Sequence, residues 1–442
     1  MNKLKRWPVI GCVVMAAVVS GCGNSGNSSG STSLRLVNAT LTHQSLDLLV
    51  NASVAIPATA IDSVSNAASP TSGSVTLQIN DASTATALVS SIVSLTGGSH
   101  YTIVAYESGG ALKTAALTED FATPATGSAQ MRFYDTSTDA GALDVYVTTD
   151  TVTRWDTYLA SVSTPTTTIT ASNSPTSSGF GLYAAGTYRV YVTGAGNKAD
   201  LRNGFAGTTV TLASQQTATV LLTPALGGVL VNGSTVTQQV AGGYSALRNA
   251  TARVRLVGAV SANAVVAATA GATTIDVGNV APTVGNYVIV PAPSVLAVNV
   301  NGASVTPPAA PLVAGSDATL LVYGNPGNAT ASLITDDNRR PSVSSNIKLR
   351  LVNGITGTPG SLSMSANFTT LASDTAAGAA STYGLVAGST SMQVDVTSAL
   401  KPDFFTKPGL NVGNDKVYTL FMLGDFNSVP ARGILIKDSK DY

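Results

Sequence analysis

The sequence predicts an all-β protein made of tandem antiparallel β-sandwich domains with immunoglobulin-like topology, placed after an export signal. Three observations carry this. Short runs alternate apolar and polar residues with period two, one set of markers recurs four times, and no long helical periodicity occurs after the first residues. Val75, Leu77 and Ile79 alternate with Thr76, Gln78 and Asn80. Tyr188, Val190 and Val192 alternate with Arg189 and Tyr191, as Met392, Val394 and Val396 do with Gln393 and Asp395. A half-buried strand reads this way, because successive side chains point to opposite faces. Ala185-Gly186 and Ala387-Gly388 precede the last two runs and supply turns.

The first marker is an apolar-Arg-apolar strand. Leu34-Arg35-Leu36-Val37-Asn38-Ala39 returns as Met131-Arg132-Phe133-Tyr134-Asp135, Val254-Arg255-Leu256-Val257-Gly258-Ala259 and Leu349-Arg350-Leu351-Val352-Asn353-Gly354. The second is an apolar residue seven positions before a threonine: Leu95 and Thr102, Leu212 and Thr219, Leu312 and Thr319, Val412 and Thr419. Eighteen residues beyond Thr102 and Thr319 stand Asp120 and Asp337, each followed four residues later by a proline, Pro124 and Pro341. Each copy of about 95 residues, with several short strands and Gly/Asn/Ser turns, suggests one antiparallel sandwich. The predicted map is a signal peptide over 1–21, a tether over 22–32, and β-domains over 33–127, 128–248, 249–344 and 345–442. The second domain carries a Thr/Ser/Pro-rich insertion near Thr151 to Gly179, read as an exposed loop. The Ala/Val/Pro-rich stretch from Ala262 to Ser294 does not resolve into strands on pattern alone. In the first two copies an aspartate follows the arginine by twelve residues, which predicts cross-strand pairs of Arg35 with Asp47 and Arg132 with Asp144.

These markers resemble the bacterial family of domains of unknown function 4397. The closest stretch is Asp336-Asp337-Asn338-Arg339-Arg340-Pro341 running into Leu349-Arg350-Leu351-Val352-Asn353. Copies one and four follow the pattern throughout, and copies two and three only at their ends. The resemblance implies an envelope-located β-domain carried on lipoproteins, with no catalytic residues.

The export segment has a basic start (Lys3, Lys5, Arg6), an apolar run from Val9 to Val19, and the closing sequence Val19-Ser20-Gly21-Cys22. That run is too short to cross a bilayer alone. Small residues directly before the cysteine resemble a lipobox, so Cys22 is expected to be the lipid-attachment residue and the new N-terminus. Each buried acyl methylene contributes roughly 0.8 kcal/mol, so several chains on one residue anchor stably. Gly23 to Ser33 is almost all Gly, Ser, Asn and Thr and reads as a flexible tether. Gly23, where an aspartate would resemble an inner-membrane retention signal, favours the outer membrane of the cell envelope.

The chain balances 23 basic against 23 acidic residues, and removal of Lys3, Lys5 and Arg6 leaves about −3. No basic block supplies the charge that nucleic-acid binding requires, so no nucleic-acid partner is expected. The partners expected are a membrane, through acylated Cys22, and a protein or glycan ligand. Both cysteines, Cys12 and Cys22, lie in the export segment, which leaves the predicted mature body without a thiol. Histidine, the commonest general base, occurs only as His43 and His100. Surface turn and strand positions account for both, and no G-x-S-x-G elbow accompanies them. Asp135 with Asp139, and Asp336-Asp337-Asn338, offer oxygen ligands but lack EF-hand spacing. Tyr183, Tyr188 and Tyr191 would favour recognition if they shared an exposed face. Catalytic, cofactor and metal sites are therefore all read as none. The reading is a non-catalytic envelope lipoprotein whose repeats space or present a binding surface. Its rivals are an adhesin-like recognition module and, more remotely, an envelope hydrolase.

One prediction follows from the export segment alone. Cys22→Ser should abolish incorporation of labelled fatty acid and leave an unprocessed precursor, and normal labelling would overturn the anchor.

Overall fold

The computed structural model describes residues 31–151, 155, 164–170, 174–203, 209–238, 243–357, 360–427 and 432–438. Cys22 and the export segment lie outside the described residues. The described chain is β throughout, apart from one 3-10 turn at Thr138–Ala140.

Eight sheets form four successive sandwiches of two sheets each. In the first, one sheet runs in the order Ser63–Val64, Ser33–Asn38, His100–Ser108, Ala111–Thr118. Its mate runs Ser53–Ala60, Ser45–Val50, Gly73–Asp81, Ala87–Leu95. The fourth sandwich repeats this plan around central strands Asn346–Thr356 and Lys416–Asp425, and the third around Thr251–Val260 and Asp317–Asn325. The second repeats it around Ser128–Asp135 and Thr217–Pro224, with Tyr244–Leu247 added at the edge. The sheet holding the marker arginine is called the arginine sheet below.

The immunoglobulin-like strand order does not hold. In that fold the first strand sits in a sheet with its antiparallel neighbours. Here the first strand of each sandwich lies between an antiparallel edge strand, short in all but the second, and a parallel partner, the strand bearing the marker threonine. Parallel neighbours need a crossover connection. The strands of the mate sheet provide it, because the chain leaves the arginine sheet after its first strand, returns for the edge strand, and leaves again before the threonine strand. All other pairs are antiparallel.

Two further expectations change. The described parts of the insertion in the second sandwich are not all loop. Thr167–Ile169 pairs with Leu143–Thr149, and Thr176–Ala184 with Ser128–Asp135. The stretch from Ala262 to Ser294 forms Val265–Ala270, Thr273–Val280, Thr283–Val284 and Val288–Pro291. Its many alanines fit because the third core is built from small residues, with Ala252, Ala264, Ala268 and Ala270 buried.

Each sandwich has its own apolar core. The residues flanking each marker arginine point inward: Leu34 and Leu36, Met131 and Phe133, Val254 and Leu256, Leu349 and Leu351. Period two then turns the arginine itself to the opposite face.

The sandwiches do not hang as beads. Asn338 donates to the Asp317 carboxylate at 2.7 Å, and its backbone N–H donates to the Gly227 carbonyl at 3.0 Å. A Cβ on Gly227 would stand 2.5 Å from Asp317, so only glycine allows that approach. The Arg340 N–H donates to Asp139 at 3.0 Å, Asp139 also accepts from the Gly109 N–H at 3.2 Å, and the Arg340 side chain meets Asp415 at 3.2 Å. The segment from Asn338 to Arg340 thus touches the second, third and fourth sandwiches, and Asp139 carries the contact on to Gly109 of the first. Limited proteolysis should spare it and cut in the exposed run Ser342–Ser345 that follows. Early cleavage between Asn338 and Pro341 would contradict this packing.

Candidate functional site: the arginine faces and the cleft beside them

In all four sandwiches the marker arginine and the marker threonine stand side by side on the parallel pair. The registers are Arg35 with Thr102, Arg132 with Thr219, Arg255 with Thr319 and Arg350 with Thr419. Each arginine Nε donates to its threonine Oγ1, at 2.8, 3.0, 2.9 and 3.0 Å respectively. The threonine hydroxyl then donates to a carboxylate at the end of the next strand. Thr102 reaches Glu119 at 2.5 Å, Thr319 reaches Asp336 at 2.7 Å and Thr419 reaches Asp438 at 2.5 Å. In the second sandwich Gln238 holds that place, next to Thr237 of strand Val231–Thr237.

This row lies on the outside of its sandwich and is nevertheless buried, because the arginine sheets pack face to face. Val37, Val104 and Tyr106 of the first sandwich meet Leu221 and Val236 of the second. Val257, Ala259 and Leu321 of the third meet Val352, Phe421 and Leu423 of the fourth. Burying such side chains contributes roughly 1.5–3 kcal/mol each, which is what can offset taking guanidinium groups out of water.

The ions cross the seam. Arg255 of the third sandwich donates to Asp438 of the fourth at 2.6 Å. Arg350 of the fourth donates to Asp336 of the third and, at 3.1 Å, to the Thr335 carbonyl. Between the first two, Arg35 donates to the Thr237 carbonyl at 2.7 Å and to Glu119 of its own sandwich. Arg132 donates to the Thr118 carbonyl at 3.3 Å, with its guanidinium 4.9 Å from the ring centres of Phe121 and Phe180. Burial would raise the Asp336 pKa, but Arg350 and Arg255 outweigh it and hold the carboxyl below its ordinary value. Burial lowers the Arg132 pKa, against the pull of Tyr134 and Glu119.

Beside the second seam a cleft of about 580 Å³ opens between the second, third and fourth sandwiches. Arg253, Arg255, Tyr287, Asn286, Asp200 and Asp438 line it. Arg253 is held bidentately by Asp317 at 2.8 and 2.5 Å, and both Arg253 and Arg255 lie over the Tyr287 ring, at 4.4 and 4.5 Å. The Tyr287 hydroxyl donates to Asp336 at 2.5 Å. The lining therefore offers an aromatic face and an exposed amide, Asn286, backed by ions that already hold one another.

The residues singled out in the sequence fall elsewhere. His43 follows the end of the strand Ser33–Asn38, while His100 pairs with Ser33 at its start, so the two stand at opposite ends of that strand. His43 faces Asp81 at 3.7 Å and His100 meets Asp120 at 2.7 Å. Ser83 donates to Asp81 rather than to His43, so these groups form no nucleophile–base pair. Asp135 accepts from the Ser137 N–H at 2.7 Å, and Asp139 ties two other sandwiches together as described. Asp336 and Asp337 diverge: the first enters the seam, and the second meets Arg339 at 2.8 Å and Lys348 at 2.7 Å. Among the described residues no His, Cys, Asp and Glu cluster could hold a metal ion. Tyr183 and Tyr188 pack on the second core, 5.5 Å apart, whereas Tyr191 packs on Trp155 at 4.9 Å, so the three do not share a face.

The expected pairs of Arg35 with Asp47 and Arg132 with Asp144 are absent. Each arginine and its aspartate lie in different sheets, since the chain crosses the sandwich between them. Asp47 instead accepts from the Ala58 N–H at 2.7 Å, and Asp144 from the Thr168 hydroxyl at 2.6 Å and the Gly196 N–H at 2.8 Å. The signal that could have found the true partner was the threonine, which recurred after the arginine in every copy, seven residues beyond an apolar position.

Two carboxylates give pH dependences of opposite sign. Asp336 has a depressed pKa, so its contribution is present above about pH 4 and is lost as pH falls through the folded value. Asp135 is pushed up by burial to about 6 from 3.8, so its charged form costs stability above about pH 6 and that cost is relieved on acidification. Asp336→Asn should destabilise by about 3–5 kcal/mol at neutral pH, because Arg350 loses its buried partner. Asp135→Asn should flatten the stability profile between about pH 4 and 6. Urea titrations across pH check both, and an unchanged midpoint for Asp336→Asn would discount the network.

No curated protein matches the chain significantly. Among solved structures, a candidate cell-adhesion protein of Bacteroides uniformis is similar at 11% identity, covering 47% of this chain and 97% of its own, with a TM-score of 0.20. Another from Bacteroides ovatus aligns at 9% identity over 72% of this chain and 97% of its own, with a TM-score of 0.15. A multi-modular glycogen-degrading pneumococcal virulence factor aligns at 7% identity over 84% of this chain and 37% of its own, with a TM-score of 0.15. Residues 32–146, the first sandwich and the opening strands of the second, match the family described as domain of unknown function DUF4397.

Proposed function

We propose that the protein is a non-catalytic, lipid-anchored binding head of the bacterial cell envelope, tethered through Cys22. The observation that carries this reading is the interlocking of three sandwiches around Asn338 to Arg340, with the first joined to them through Asp139. A spacer would string its domains end to end. Here they are gathered, so that surfaces contributed by different sandwiches keep a fixed geometry, which lowers the entropic cost of binding. The cleft at the junction of three sandwiches is the surface such an arrangement creates. Its exposed Asn286 and the Tyr287 ring suit a protein or glycan ligand, an adhesin-like role.

The test uses the full acylated chain on vesicles, titrated with labelled peptides and oligosaccharides prepared from bacterial envelopes. Asn286→Trp, which fills the cleft, should remove saturable binding while leaving thermal unfolding unchanged. His43→Ala combined with His100→Ala should bind as the parent does. Binding that survives Asn286→Trp would move the ligand away from the cleft. Hydrolysis of an envelope polymer that the double histidine variant abolishes would overturn the non-catalytic reading.

A further inference from the structure

The face-to-face contact has a property that a chance domain interface lacks: it is reciprocal, and both partners use the same positions. Arg255 of the third sandwich reaches the carboxylate that ends the fourth, and Arg350 of the fourth reaches the carboxylate that ends the third. Arg35 and Arg132 likewise each take the carbonyl of the threonine, Thr237 or Thr118, that ends the other's strand. The apolar positions obey the same rule. Two residues after each arginine stand Val37, Tyr134, Val257 and Val352, and all four lie in the seams. Two residues after each threonine stand Val104, Leu221, Leu321 and Phe421, also in the seams. Four residues after the arginine the side chain is small: Ala39, Thr136, Ala259 and Gly354. A contact in which residue i meets j while j meets i is isologous, the pattern of a twofold-related pair.

We propose that the arginine sheet of this domain is a self-complementary docking surface whose partner is a second sandwich carrying the same residues. The recurring Arg-x-apolar-x-small strand and the Thr-x-apolar strand are its recognition elements, together with the terminal carboxylate. Sandwiches that bear this face therefore come in pairs, first with second and third with fourth. Apolar burial supplies the affinity, and the crossed ions fix the register, since a slipped pairing would leave buried guanidinium groups without carboxylates.

The two seams differ in one respect that follows from the same rule. The third and fourth sandwiches bring two arginines, Arg255 and Arg350, against two carboxylates, Asp336 and Asp438. Among the described residues the first and second bring Arg35 and Arg132 against one carboxylate at these positions, Glu119, because Gln238 occupies the fourth place. The Gln238 Oε1 atom is buried and accepts no hydrogen bond. Arg132 makes up part of the deficit by lying against Phe121 and Phe180. The first seam is thus the weaker copy of the second, one carboxylate short.

Hydrogen exchange on the full chain tests this, since it reads each strand separately. A Cβ on Gly354 would stand 2.8 Å from the Ala259 Cβ across the seam. Gly354→Phe should therefore wedge the seam and speed exchange roughly tenfold in the strand Asn328–Asp336 of the opposite sandwich. Ala259→Phe, from the other side, should do the same to the strand Arg432–Lys437. Gln238→Glu should slow exchange in the end strands Ala111–Thr118 and Val231–Thr237 alike. Wedge effects confined to the substituted sandwich, or faster exchange in either end strand with Gln238→Glu, would overturn the proposal. Should one wedge variant fail to fold, the other and Gln238→Glu still decide it.

Discussion

The structure depends on the parallel pairing of the first strand of each sandwich with its threonine strand. That register places an arginine Nε beside a threonine Oγ1 in all four copies. The hydroxyl accepts from the guanidinium and, in three copies, donates onward to a carboxylate, so its hydrogen-bonding capacity is used in both directions. In each copy the guanidinium also donates to an acceptor of the sandwich it faces. A face that would otherwise be solvated becomes one that must be covered.

Covering it determines the assembly. Sheet faces of Val, Leu, Phe and Tyr meet across two seams, and the ions within those seams are acceptable only because each is hydrogen-bonded. The charged residues are few, 10% of the chain, yet Arg35, Arg255, Asp336, Arg350 and Asp438 are all buried here. With so little surface charge, the solvated faces are carried by Ser, Thr, Asn and Gln. The scarce ions are used where geometry can be fixed by a fork-shaped donor and a carboxylate.

Two paired units would still move relative to one another if joined by a linker alone. The turn at Gly227 and the segment from Asn338 to Arg340 prevent this, by threading polar contacts between sandwiches that are distant in sequence. A fixed head creates the cleft around Tyr287, which no single sandwich possesses. Its lining comes from three repeats, and Asp317 and Asp336 hold Arg253 and Tyr287 in place there.

The sequence by itself determined the class of structure and marked the strands that carry the arginines and threonines. Period-two alternation around Val75, Tyr188 and Met392 reports which side chains leave water, and that is a local property of the chain. It also marked Arg35, Arg132, Arg255 and Arg350 with Thr102, Thr219, Thr319 and Thr419 as positions that recur in every copy. It could not say what they touch. Reading Asp47 and Asp144 as their partners assumed that neighbouring strands form a hairpin, whereas the chain crosses to the other sheet. Strands distant in sequence become neighbours only when the whole sandwich closes, because a hydrogen-bonded ladder is a pairwise relation that neither strand encodes alone. The same holds one level up. Asp336 and Asp438 meet arginines of another sandwich, so their role exists only after two finished domains have packed, and no pattern within either one could announce it.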